Sequence, residues 1–200
     1  MIVFPRTAGI ILAAGASSRM GSPKALLEYR GETFLNRLIR ILSPSCDPVV
    51  VALAHHAALI RAQADPRAQF VVNPDPDRGQ LSSLQTALAV IPANVDGFFF
   101  IPVDCPAAEP STVSLLAEAV AHRDPATLVV VPQFQGKHGH PVFAAAPLIQ
   151  EFLALPPTAQ ARQVVHAHKS ATRYIDVDDP GILADIDDIE AYRRLAGAIT

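Results

Sequence analysis

Gly9-Ile10-Ile11-Leu12-Ala13-Ala14-Gly15-Ala16-Ser17-Ser18-Arg19-Met20-Gly21-Ser22-Pro23-Lys24 runs from an apolar stretch into a loop of small residues that carries two cations. The apolar part is short and unbroken, the pattern of a strand covered on both faces. Small residues in the loop let backbone N–H groups approach phosphate oxygens, and Arg19 and Lys24 can neutralise charge there. The spacing is not that of a P-loop, which has four residues between its glycines and Lys directly after the second. The G-x-G-x-x-G dinucleotide fingerprint is absent too.

Outward from this loop the same punctuation recurs. Strands are expected over Ala8–Ala14, Val49–Ala54, Gln69–Val72, Gly97–Val103, Thr127–Val131, His140–Ala144 and Thr172–Val177. Helical spacing marks Thr33–Leu42, Ser82–Val90 (Ser82 or Ser83 as N-cap), Ser111–His122 (Ser111 as N-cap) and Ile189–Leu195. Strand–helix alternation predicts a three-layer α/β/α fold, Rossmann-like, with a mostly parallel sheet of about seven strands. No linker or repeat interrupts it, so residues 1–200 read as one domain. Residues 134–141 are expected to form a loop excursion over the site.

Composition excludes several classes. Half of the 200 residues are hydrophobic and 18% are charged, which describes a globular chain. A net charge of −3 without a basic run argues against nucleic acid and anionic membrane as partners. The longest apolar stretches, such as Phe98 to Val103, are too short to span a bilayer. No long apolar segment follows Arg6, so export is not expected. Two isolated cysteines, Cys46 and Cys105, suit a reducing cytoplasm.

In open α/β sheets ligands bind beyond the carboxyl ends of the strands. Phe98-Phe99-Phe100-Ile101-Pro102-Val103-Asp104 ends a strand on a carboxylate at that edge, where Asp104 can meet Lys24. Asp104 is there either a hard ligand for Mg²⁺ or a cap on the Cys105-Pro106 turn. Asp185-Ile186-Asp187-Asp188 offers further acids: Asp185 and Asp187 share a face in extended backbone, and Asp188 can cap the last helix. Gly79-Gln80-Leu81-Ser82-Ser83-Leu84 suits close approach to a base and ribose, or an ordinary helix start. His55, His56, His166 and His168 lack the spacing of a zinc site and read as surface or packing residues. Cys105 reads as a packing residue.

Ala13-Ala14-Gly15, Ser17-Ser18-Arg19-Met20-Gly21 and Lys24, followed in order by Gly79 to Leu84, Asp104, Gly139-His140-Pro141 and Asp185-Ile186-Asp187, resemble the molybdopterin cytidylyl- and guanylyltransferase-like nucleotidyltransferases. The resemblance runs from Gly9 to about Tyr192 and implies a GT-A-like nucleotidyltransferase fold. It implies an Mg²⁺-dependent enzyme joining an NTP to a phosphorylated acceptor, molybdopterin, with pyrophosphate release. Lys24, Arg19 and Asp104 would be catalytic, and Asp104 and Asp187 would hold the metal. Leu12, Ala13, Ala14, Gly15, Gly79, Ser83 and His140 would line the substrates. Where this chain has Asp188-Ile189, family members tend to have Thr-Pro, which leaves the choice among Asp185, Asp187 and Asp188 open. The second Ala of Leu12-Ala13-Ala14-Gly15 is the cytidylyl pattern, where guanylyl members tend to have Gly, so CTP is favoured over GTP. A molybdoenzyme or its chaperone is the implied protein partner. Sugar- or polyol-phosphate nucleotidyl transfer and a non-catalytic nucleotide-binding module are the alternatives; a glycosyltransferase would usually show Asp-x-Asp at the strand end.

Overall fold

The computed structural model describes residues 5–16 and 21–197. Among the described residues are ten strands: β1 (Thr7–Ala13), β2 (Glu28–Tyr29), β3 (Glu32–Thr33), β4 (Val49–Leu53), β5 (Gln69–Val72), β6 (Gly97–Pro102), β7 (Val129–Phe134), β8 (Lys137–His138), β9 (Val142–Ala145) and β10 (Thr172–Asp176). The helices are α1 (Phe34–Leu42), α2 (Ala57–Gln63), α3 (Gln80–Leu88), α4 (Pro110–Ala121), α5 (Ile149–Ala154), α6 (Arg162–Ala167) and α7 (Ile189–Gly197). The main sheet runs β10-β7-β9-β6-β1-β4-β5, with β8 beside β7. Pairs β6–β1, β1–β4, β4–β5 and β10–β7 are parallel. Strand β9 runs antiparallel to both β6 and β7. Counting β8, the sheet has eight strands rather than about seven, and β2 and β3 form a separate hairpin.

Successive side chains of a strand point to opposite faces. Ile11 and Ala13 therefore join one core with α1, α4 and Phe99, while Ile10 and Leu12 join another with α3, Phe98, Phe100 and Phe152. Both faces are covered, which is why the strands read as unbroken apolar runs. Helix α1 starts where expected: Thr33 Oγ1 accepts from the Asn36 N–H at 3.2 Å.

Two expected caps are corrected. Helix α3 begins at Gln80 with Gly79 in the cap position at φ +85°, a conformation that favours glycine. Ser82 lies inside the helix, and its hydroxyl contacts the Gly79 and Asp75 carbonyls instead. Helix α4 begins at Pro110, whose fixed φ suits a first turn, so Glu109 and not Ser111 takes the cap position. The 134–141 excursion is largely the β7–β8 hairpin, turned by Gln135 and Gly136 at positive φ.

Candidate active site

Strands β1 and β6 run side by side in parallel and open into loops at the same edge, where Val103 N–H donates to the Leu12 carbonyl at 3.0 Å. This brings the small-residue loop and Asp104 together. Lys24 sits at the start of a single 3₁₀ turn, Lys24–Leu26. Its Nζ donates to Asp104 Oδ2 and to Asp187 Oδ1, each at 3.0 Å. Carboxylates 80 and 163 positions along the chain from Lys24 thus share its ammonium. Burial lowers the Lys24 pKa, but the charges of Asp104 and Asp187 and their hydrogen bonds outweigh that and leave it raised.

Asp185 turns toward Asp104 and Cys105: one ligand atom from each of the three lies within 4.8 Å of the others. Among the described residues this is the sole group of three such ligands. Burial, with Asp104 and Asp187 nearby, raises the Asp185 pKa. The Cys105 thiol is pushed well above its ordinary range by burial and then by Asp104 and Asp185, so it stays protonated and unsuited to nucleophilic attack. Asp188 caps α7, its Oδ1 accepting from Ala191 N–H at 2.7 Å. Arg19, with Ser17, Ser18 and Met20, lies outside the described residues.

A cleft of about 220 Å³ is lined by Leu12, Ala13, Ala14, Gly15, Lys24, Gly79, Ser83 and Asp104, all expected site residues. Gln80, from the segment expected to approach a base and ribose, lines it as well, while Pro23, Ile60 and Pro76 complete much of its wall without having been expected there. Buried Asn73 braces the Gly79–Ser83 side, its amide donating to Ser82 Oγ at 2.8 Å and Ser83 Oγ at 3.0 Å. His140 faces a second cavity of about 540 Å³, which Gln80 also lines. The His140 Nδ1 atom is buried without a hydrogen-bond partner. Burial lowers its pKa, although the Phe100 backbone and Asp104 act in the opposite sense. The second cavity has an aromatic wall in Tyr174, stacked on His138 at 4.3 Å and 16°, and a cationic wall in Arg162 and Lys169. Sequence spacing carried no sign of that wall, because Arg162, Lys169 and Tyr174 come from three different elements. His166 lines the same cavity, whereas His168 pairs with Glu151 at 2.8 Å.

The model of the MobA-like NTP transferase domain matches residues 9–172. The chain belongs to that family. It is 36% identical over 132 residues to a probable molybdenum cofactor guanylyltransferase of Rhodopirellula baltica, covering 64% of this chain and 62% of the relative. This MobA-like chain therefore spans less than two thirds of that relative's length. Among solved structures it resembles Rv0371c from Mycobacterium tuberculosis H37Rv, with TM-score 0.85 and 28% identity over 98% of this chain and 99% of that one. A manganese complex of Rv0371c superposes with TM-score 0.79 and 25% identity, covering 96% and 99% of the two chains. No helix among the described residues is long and apolar enough to cross a membrane.

Proposed function

We propose that this chain is a nucleotidyltransferase that joins an NTP to a phosphorylated acceptor, molybdopterin by family, and releases pyrophosphate. The observation that carries this reading is Lys24 bridging Asp104 and Asp187 beside a small-residue loop at the carboxyl edge of a parallel sheet. In the reaction an acceptor phosphate oxygen bonds to the α-phosphorus, and the bond from that phosphorus to the α,β-bridging oxygen breaks. A phosphomonoester is already anionic near neutral pH, so the chain need not supply a base. What it must supply is alignment of anions and relief of their repulsion.

Asp104 and Asp185 come together beside the Cys105 thiol, and Asp187 meets Asp104 across the Lys24 ammonium, so the carboxylates present fit a divalent cation. Asp104 and Asp187 would hold it, with Mg²⁺ the expected ion, and when bound it would polarise the α-phosphate. Lys24 stands close enough to turn from the carboxylates to that phosphate, and Arg19 is assigned to the β- and γ-phosphates. Gly15, Gly79 and Ser83 accommodate the nucleoside, and His140 with the second cavity accommodates the acceptor. Gln80, shared by both spaces, supports in-line transfer between them. Buried Cys46 and Cys105, unpaired in the fold, support a cytoplasmic setting. A molybdoenzyme or its chaperone as recipient follows from the family reading alone.

For the base, Ala14 supports CTP: it lines the cleft and is 7% exposed, so its methyl narrows the space for a purine. The guanylyltransferase names of relatives favour GTP as the second reading. Thermal shifts with Mg²⁺ and each nucleotide separate them, and a larger shift with GTP overturns the Ala14 argument. The reaction class is tested by a pyrophosphate-release screen over four NTPs with molybdopterin and other phosphorylated acceptors, with and without Mg²⁺. No release under any combination would leave a nucleotide-binding module.

A further inference from the structure

Two charged side chains lie buried away from both cavities: Arg37, 3% exposed, and Asp179, 5% exposed. Both grip the same short loop, the one that follows Asp104. From α1, Arg37 Nε donates to the Pro106 carbonyl at 2.7 Å and its Nη2 to the Ala108 carbonyl at 3.1 Å. From the segment between β10 and α7, Asp179 Oδ2 accepts from Glu109 N–H at 2.8 Å and from the Thr112 hydroxyl at 2.7 Å. Its other oxygen accepts from Gly181 N–H at 2.8 Å, within its own segment. A buried charge is costly unless its hydrogen-bonding capacity is filled, and these contacts fill it from several directions.

The segment held by Asp179 runs on into Asp185 and Asp187. At its near end it presses on the Asp104 loop so closely that a Cβ on Gly181 would lie 2.2 Å from the Ala107 carbonyl oxygen. At its far end Ile186 N–H donates to the carbonyl of Asp104 itself at 2.9 Å. Between the two ends, the Ile182 carbonyl accepts from His140 N–H at 3.1 Å. The two carboxylate-bearing segments are therefore fastened at two points on either side of the cleft's acidic corner.

Building on the nucleotidyltransferase reading, we propose that Asp179 is a positioning residue that sets the separation of Asp104 and Asp187 for a divalent cation. Asp179 touches neither cavity, so its effect passes through the loop, as outer partners of metal ligands act. A substitution there changes cation affinity and turnover together while leaving nucleotide contacts alone.

The test is Mn²⁺ binding, followed by the electron paramagnetic resonance signal of free ion, for wild type, Asp179→Asn and Thr112→Val, with kcat and the NTP KM measured alongside. Asp179→Asn is expected to weaken Mn²⁺ about tenfold and lower kcat by a similar factor. The NTP KM stays within about twofold, and excess Mn²⁺ restores part of the turnover. Thr112→Val removes one of the carboxylate's donors and shifts the same quantities by about threefold. Unchanged Mn²⁺ affinity and kcat in both variants, even with a lowered Tm, overturns the proposal and leaves a purely structural clamp. Should Asp179→Asn not fold, Thr112→Val decides alone. A wild type that binds Mn²⁺ but releases no pyrophosphate defeats the transfer reading, and the spacing role then stands or falls on Mn²⁺ binding.

Discussion

The two halves of the proposed site, the cleft assigned to the nucleotide and the cavity assigned to the acceptor, are built by different rules. The nucleotide half hangs from parallel strands β1, β4, β5 and β6, and its working groups follow strand ends: Gly15 after β1, Asn73 after β5, Asp104 after β6. The half assigned to the acceptor gathers around antiparallel β9, the β7–β8 hairpin and the six-residue helix α6. Its groups come from separate elements: His138 and Tyr174 flank β7 on β8 and β10, His140 follows β8, Arg162 opens α6 and Lys169 follows it. A parallel edge places residues by a general rule, at the carboxyl ends of the strands. The other half can be rebuilt residue by residue, which suits it to setting acceptor choice.

Substitutions in the two halves should accordingly act on different kinetic constants. In the nucleotide half, Lys24→Met should lower kcat about 10²–10³-fold, because it removes a charge aimed at the transferring phosphate. The same change should tighten Mn²⁺ in the absence of nucleotide, since Lys24 and a cation compete for Asp104 and Asp187. In the acceptor half, Arg162→Ala and Lys169→Ala should each raise the acceptor KM about tenfold and leave the NTP KM unchanged, the loss of one charge-assisted contact. Equal effects on both KM values would erase the division.

The smallest effect concerns His140, which lines the second cavity. Burial holds its pKa below the ordinary 6.5, so the unfolded chain binds a proton more readily than the folded one. The sign follows: stability is full above that ordinary value and falls as pH drops below it. His140→Gln should shrink the difference in Tm between about pH 7 and about pH 5.5, and an undiminished difference would assign the acid sensitivity elsewhere.

Legibility in sequence divides along the same line. Ile10-Ile11 and Phe98-Phe99-Phe100 announced strands buried on both faces, and strand ends announced Lys24 and Asp104 as neighbours. Asp187 needed the family resemblance, because a carboxylate 163 residues from Lys24 leaves no local pattern. Helices α2, α5 and α6 escaped notice, being too short for a helical period to accumulate. Ser111 and the Ser82-Ser83 pair looked like caps by residue type, yet Pro110 and the positive φ of Gly79 set those helix starts. Asp179, which accepts from Glu109 and Thr112 near the start of α4, had no sequence signature because its partners are 70 and 67 residues away.

The account rests on Lys24, Asp104 and Asp187 forming a single site for cation and phosphate. Mn²⁺ titration of wild type, Asp104→Asn and Asp187→Asn, with and without NTP, tests it most directly. One ion should bind wild type, more tightly with NTP present, and each Asn variant should weaken it by at least about tenfold. Mn²⁺ affinity indifferent to both substitutions, or to the nucleotide, would contradict it.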